Sequence, residues 1–128
     1  MIRITYNQIL KYTIVSVAII NFLVGLIVMV GWVVKNNSII QLHPYFAPMQ
    51  FNTALCFTFI GLAMIGVLFK KKPLVRVTVT LAGSISLLTV IEHLFGLDLF
   101  IDNLFVEAYQ TANTSFPGRM APSTAMCF

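Results

Sequence analysis

Residues 12–34, 51–69 and 77–95 are three apolar runs that together contain one formally charged side chain, Glu92. Each is close to the roughly 20 residues an α-helix needs to cross the hydrocarbon of a bilayer. No soluble fold hides three such runs in a chain of 128 residues. The whole composition agrees: 59% of residues are hydrophobic and 9% charged, with a mean hydropathy of +0.92, whereas a soluble domain is about 25% charged. The length leaves room for one membrane domain and none for a separate soluble enzyme.

The first run follows Arg3 and Lys11, as a secretory signal would. A signal's apolar region is about 7–15 residues long and ends at a small-residue cleavage site. This run instead continues to Val34 without one, so an uncleaved anchor is expected. The net charge of +4 does not point to nucleic acid, because the charges sort by helix end. Arg3, Lys11, Lys70, Lys71, Lys72 and Arg76 flank one set of ends; Lys35, Arg119 and all four acids, Glu92, Asp98, Asp102 and Glu107, belong to the other. By the positive-inside rule the N-terminus and the 70–76 turn are cytoplasmic, and the longer loops, 35–50 and 96–120, are external. The expected setting is a bacterial inner membrane, with the lipid bilayer as partner.

An internal repeat organises the chain. Met49-Gln-Phe-Asn-Thr-Ala-Leu-Cys-Phe57 matches Met120-Ala-Pro-Ser-Thr-Ala-Met-Cys-Phe128, with Met, Thr, Ala, Cys and Phe in register. A shared stretch that spans a loop end and a helix start implies two copies of one helix–loop–helix unit. The fold class that follows is an all-α membrane protein: an antiparallel transmembrane bundle of three full spans, with 121–128 starting a fourth. Two turns cannot cross a bilayer, so residues 1–128 read as the N-terminal membrane domain of a longer protein or as a truncated gene product. Pro122 suits a first helical turn, and Ser123, Thr124, Asn52 and Thr53 are candidates to cap the unpaired amides of the two starts. Lys71-Lys72-Pro73 marks the cytoplasmic reversal.

Asn21, Gly61, Ala63, Gly66, Ala82, Gly83, Ser84 and Ser86 are the small and polar residues inside the spans. Their expected role is close helix packing, with Asn21 bonding across helices. Cys56 and Cys127 read as small apolar fillers. In the second external loop, Leu97, Ile101, Leu104 and Phe105 recur near helical spacing, with Asp98 and Asp102 on another face, which predicts a short amphipathic interfacial helix over 97–106. Residues 112–118 read as an irregular return to the bilayer.

An ionisable residue near the end of a span is costly unless it reaches water or a partner. Glu92 is that residue, and Arg119 is its expected partner. Glu92, His93, Asp98, Asp102, Arg119 and His43 are therefore the candidate ligand-sensing residues. His43 and His93 with Met49, Met120 and Glu92 could be imagined around a metal or haem, but the spacing matches no compact metal motif; no metal or cofactor is expected. No catalytic residues are assigned: Thr114 and Ser115 have no base, and Gly-rich phosphate loops, HExxH and CxxC are missing from the sequence.

The stretches His43–Phe57, Glu92-His-Leu-Phe-Gly-Leu-Asp-Leu-Phe-Ile-Asp102 and Pro117-Gly-Arg-Met-Ala-Pro-Ser-Thr-Ala-Met-Cys-Phe128 resemble the N-terminal membrane region of bacterial multidomain sensor proteins, with Ser123 where the family often has Asn. The resemblance implies membrane helices that precede cytoplasmic PAS domains and a histidine kinase or diguanylate cyclase output. The expected function is the input and anchor module of such a receptor. It is not itself an enzyme, works as a homodimer and has its output domains in cis. The competing readings are a small transport or channel subunit, for which internal repeats are also a signature, and a purely structural anchor.

Overall fold

The apolar runs fold into helices, and the first and third of these begin before the runs do. In the computed structural model, which describes residues 6–41, 43, 45–110 and 116–128, the elements are α1 (Tyr6–Val33), α2 (Asn37–Ile40), α3 (Phe51–Leu68), α4 (Lys72–Phe95), a 3-10 turn (Ile101–Asn103) and α5 (Pro122–Ala125). There is no strand among the described residues. Three helices, α1, α3 and α4, are long and apolar enough to cross a membrane. By that measure the chain is a multi-pass membrane protein.

Two boundaries differ from expectation for stated reasons. α1 begins at Tyr6 and α4 at Lys72, so Lys11, Lys72 and Arg76 lie within helices rather than before them. Pro73 does not interrupt α4, because it occupies the first turn, where its missing N–H has no intrahelical partner to lose. The reversal is made instead by Lys70, left-handed at φ 54°, with Lys71 N–H donating to Gly66 O at 2.8 Å. That is a Schellman-type closure, and α1 ends the same way: Lys35 has φ 54° and Asn36 N–H donates to Gly31 O at 2.9 Å.

Helix packing is set by missing side chains. A methyl on Gly61 would stand 2.9 Å from Ala18 O and 2.7 Å from Phe22 N; one on Gly25 would stand 2.5 Å from Ala54 O and also strike Thr58. The backbones of α1 and α3 thus touch at two levels, as small residues allow in membranes. α3 meets α4 through Cys56 against Ala82, both fully buried. Asn21 does not bond across helices. Its Nδ2 donates to Val17 O of its own helix at 2.8 Å.

The predicted helix over 97–106 is not formed. Gly96 (φ 62°) ends α4, Phe100 (φ 59°) bends the chain again, and only Ile101–Asn103 coil into a 3-10 turn. The reason is competition from side chains. Glu92 Oε1 accepts the Leu99 N–H at 2.8 Å and Asp98 Oδ1 the Phe100 N–H at 3.0 Å, giving the backbone partners outside a helix. Leu97, Leu104 and Phe105 remain exposed. Most of 112–118, including Thr114 and Ser115, lies outside the described residues.

The two similar sequence stretches occupy similar surroundings. The N-cap of α3, Gln50, has φ −68° and ψ 152°; that of α5, Ala121, has φ −60° and ψ 143°. Neither start has a side-chain cap, so Asn52, Thr53, Ser123 and Thr124 do not take the expected capping role. Ahead of each start, a ring from the preceding long helix bonds the methionine carbonyl: Trp32 Nε1 donates to Met49 O at 2.7 Å, and His93 Nε2 pairs with Met120 O at 3.0 Å. Each ring stands three positions before a left-handed residue, Lys35 or Gly96. Ser86 Oγ bonds Ala125 O, while Gly25 faces Ala54 O.

Widening the α1–α3 contact should separate these helices. Gly25→Val and Gly61→Val are expected to destabilise the protein by about 1–3 kcal/mol each, the usual cost of overpacking. Gly83→Ala, whose added methyl meets nothing within 4 Å, should be neutral or slightly stabilising. Reversible unfolding in mixed detergent micelles measures all three. Equal effects at the three glycines would contradict the packing described.

Candidate functional site

The last turn of α4 carries Glu92 inward, and its side chain is fully buried. The turns that follow return the chain toward it. Gly96 and Phe100 reverse direction and the 3-10 turn presents Asp102, also buried. From the other end of the loop comes Arg119, preceded by Gly118 with φ 83°. Arg119 Nε donates to Asp102 Oδ2 at 2.7 Å and lies 3.5 Å from Glu92 Oε2; its Nη2 donates to Leu97 O at 3.1 Å and lies 4.0 Å from Asp98 Oδ1. The guanidinium carbon sits 4.8 Å over the Phe116 ring, within cation–π range.

Five of the six residues expected from sequence are therefore gathered: Glu92, Asp98, Asp102 and Arg119 in one cluster, with His93 beside it. Two details differ. The nearest acid to Arg119 is Asp102, not Glu92, and Asp98 and Asp102 converge on one cation instead of lying on a separate helical face. The sixth residue, His43, is exposed and keeps its ring contacts inside the first loop, with Tyr45 at 5.2 Å and Phe46 at 5.9 Å.

Each charge has a definite environment. Three carboxylates surround one guanidinium, and Glu92 Oε2 and Asp102 Oδ1 accept no hydrogen bond. One oxygen from each of Glu92, Asp98 and Asp102 falls within a 4.8 Å group that could hold a cation; Arg119 supplies positive charge there. His93 Nε2 must carry its proton to donate to the Met120 carbonyl. Its ring meets the edge of Phe116 at 5.9 Å.

Beside the cluster is a cavity of about 410 Å³ whose wall includes Gln50, Thr53, His93, Phe116, Arg119 and Met120. It lies between the starts of α3 and α5, and its size is that of a small-molecule site. What the arrangement can do chemically is hold the two ends of the second loop together beside that space. Sequence reasoning gave no part to Gln50 or Trp32 and only a capping one to Asn52, three residues in or near these surroundings. Gln50 forms part of the wall. Asn52 ties α3 to the second loop through Nδ2 to Ile101 O at 3.0 Å. Trp32 braces the first loop, with Tyr109 edge-on at 5.0 Å. Gln50 and Asn52 stand inside the repeated stretch, which was the signal available for them.

No described protein family, no curated protein and no solved structure matches the chain.

The cluster predicts unequal mutational costs. Arg119→Gln leaves two buried acids without their cation and should cost about 3–5 kcal/mol, the range for stranding a buried charge. Asp98→Asn removes a partner 4.0 Å away whose side chain is 66% exposed, and should cost under about 1 kcal/mol. Limited proteolysis of the second loop, with unfolding in micelles, reads both. A separate check concerns Tyr109, whose phenol burial pushes above its ordinary value. Stability tied to that proton is fully present below about pH 10 and is lost as the pH rises through the elevated value. Tyr109→Phe should flatten this alkaline decline.

Proposed function

We propose that this chain is the membrane-embedded input and anchor module of a bacterial signal-transduction receptor of the sensor histidine kinase or diguanylate cyclase type. In this reading its helices form an antiparallel bundle of two helix–loop–helix units in the inner membrane, with the N-terminus and the 70–76 turn cytoplasmic. The module dimerises, and cytoplasmic PAS and output domains follow in cis. A stimulus at the external loops changes how the second unit is clamped to the first.

The observation that carries the reading is the buried Arg119 cluster beside the cavity. A receptor input needs two packings separated by a small free energy, one of which the stimulus binds better. A charge cluster with more carboxylates than guanidinium, built on two loop ends and bordering a ligand-sized space, supplies such an element. The matched surroundings of Met49 and Met120 support the two-unit description. A transport path gains less support, because Asn21, the mid-span polar residue it would use, is satisfied within its own helix.

Signalling per molecule of inserted full-length receptor tests the proposal. Glu92→Gln and Asp102→Asn are expected to change basal output at least several-fold with membrane abundance unchanged. An unaltered stimulus response in both variants and in the double variant would leave the module as an anchor alone. Orientation is tested by cysteine labelling of intact cells with an impermeant reagent. Thiols introduced at Asn37 and Asn103 should react and one at Lys71 should not; the reverse pattern would invert the topology.

A further inference from the structure

The cavity between the starts of α3 and α5 has a chemistry that narrows what it can hold. Its wall is largely apolar, with Pro48, Met49, Phe116, Met120 and Pro122 among the lining residues. Gln50 lines it too and is 95% buried, being 5% exposed. Gln50 Nε2 donates to Pro48 O at 3.4 Å, whereas Oε1 accepts no hydrogen bond and is closed off as the side chain stands, so a guest reaches it once that long bond yields and the amide turns toward the cavity. A buried carbonyl oxygen without a donor costs about 1–3 kcal/mol, so an occupant that brings a donor gains from it.

Charge selects further. Arg119 lines the space, but its Nε is bonded to Asp102 and its Nη2 to Leu97 O. Three carboxylates share that guanidinium, so an anion entering beside it meets net negative charge. A cation would have to stand against Arg119 itself, whose guanidinium already covers a face of Phe116. An uncharged guest avoids both penalties. His93 offers no competing donor from Nε2, which is committed to Met120 O.

We propose that this cavity binds a small uncharged molecule with an apolar body and one hydrogen-bond donor, an alcohol or phenol in chemical class, its hydroxyl donating to Gln50 Oε1. The site deepens the sensory reading and rests on it for its role in signalling. The occupant sits where the two loop–helix junctions face each other and touches both methionines whose carbonyls the rings of Trp32 and His93 hold. Binding there favours the packing in which the junctions stay together.

The test uses the purified 128-residue chain in lipid nanodiscs, with cyclohexanol, cyclohexyl methyl ether and cyclohexanecarboxylate as probes. Trp32 is the one tryptophan and bonds Met49, a wall residue, so its emission and titration calorimetry serve as readouts. Cyclohexanol should bind saturably and the ether, which lacks the donor, about tenfold or more weakly, the factor carried by one buried hydrogen bond. The carboxylate should give no saturable signal. Gln50→Leu should bring the alcohol and the ether to equal affinity, and Ala121→Phe should abolish binding of both by filling the space. Equal binding of alcohol and ether to the unaltered protein, stronger binding of the carboxylate, or no saturable response in either readout would overturn the site. The ranking on the unaltered protein decides even if Gln50→Leu fails to fold. Failure here, with Glu92→Gln still altering output, would remove the site and leave the sensory reading; binding as expected, with output indifferent to Glu92 and Asp102, would do the opposite.

Discussion

Arg119 is the point on which the second loop depends. Removing an ion from water costs several kcal/mol even after relaxation, and this loop end buries three, Glu92, Asp102 and Arg119. They are tolerable together only because Nε reaches two carboxylates while Nη2 takes the Leu97 carbonyl. The last turn of α4, the 3-10 turn and the approach to α5 are thereby referred to one planar group. Lysine could not replace it: an ammonium has no fixed fork to point at Asp102 and Leu97 at once. The described residues of the loop have little other regular structure, so their course follows from where that guanidinium can be satisfied.

Much of this architecture was legible in the sequence, and the residues explain why. Three apolar runs force three helices whatever their neighbours do, because apolar length is a local property. The candidate acids and Arg119 were also legible, since charge beside a span demands a partner. What could not be read was pairing. Asp98 and Asp102 look like one face of a helix at their spacing of four, yet Gly96 and the side-chain oxygens of Glu92 and Asp98 divert the backbone before a turn can close. Gln50 was equally hidden. Its significance is a lone pair left over after tertiary packing, and no spacing rule reports that.

The ring pair shows a similar division between what recurs and what differs. Trp32 and His93 meet the carbonyls of Met49 and Met120 from comparable positions, although indole and imidazole share no obvious sequence likeness. Both present an N–H on the edge of a flat ring. They part in what is left over: an indole has one ring nitrogen, whereas an imidazole has two. Both junctions are consequently held by the same bond, a ring N–H to a methionine carbonyl, and the second ring keeps a further nitrogen that the first lacks.

The glycine contacts of α3 carry a consequence for how the molecule meets its neighbours. α3 has α1 against Gly61 on one side and α4 against Cys56 on another, and half of its span is buried, compared with 22% for each flanking helix. Lipid tails therefore wet mainly α1 and α4. Apolar residues there, such as Ile20, Ile27 and Leu87, face a solvent that does not distinguish one branched side chain from another, so drift among them should be nearly free. α3 has no such latitude. A change of shape in α3 meets a neighbouring helix where the same change on the outer faces of α1 or α4 meets lipid.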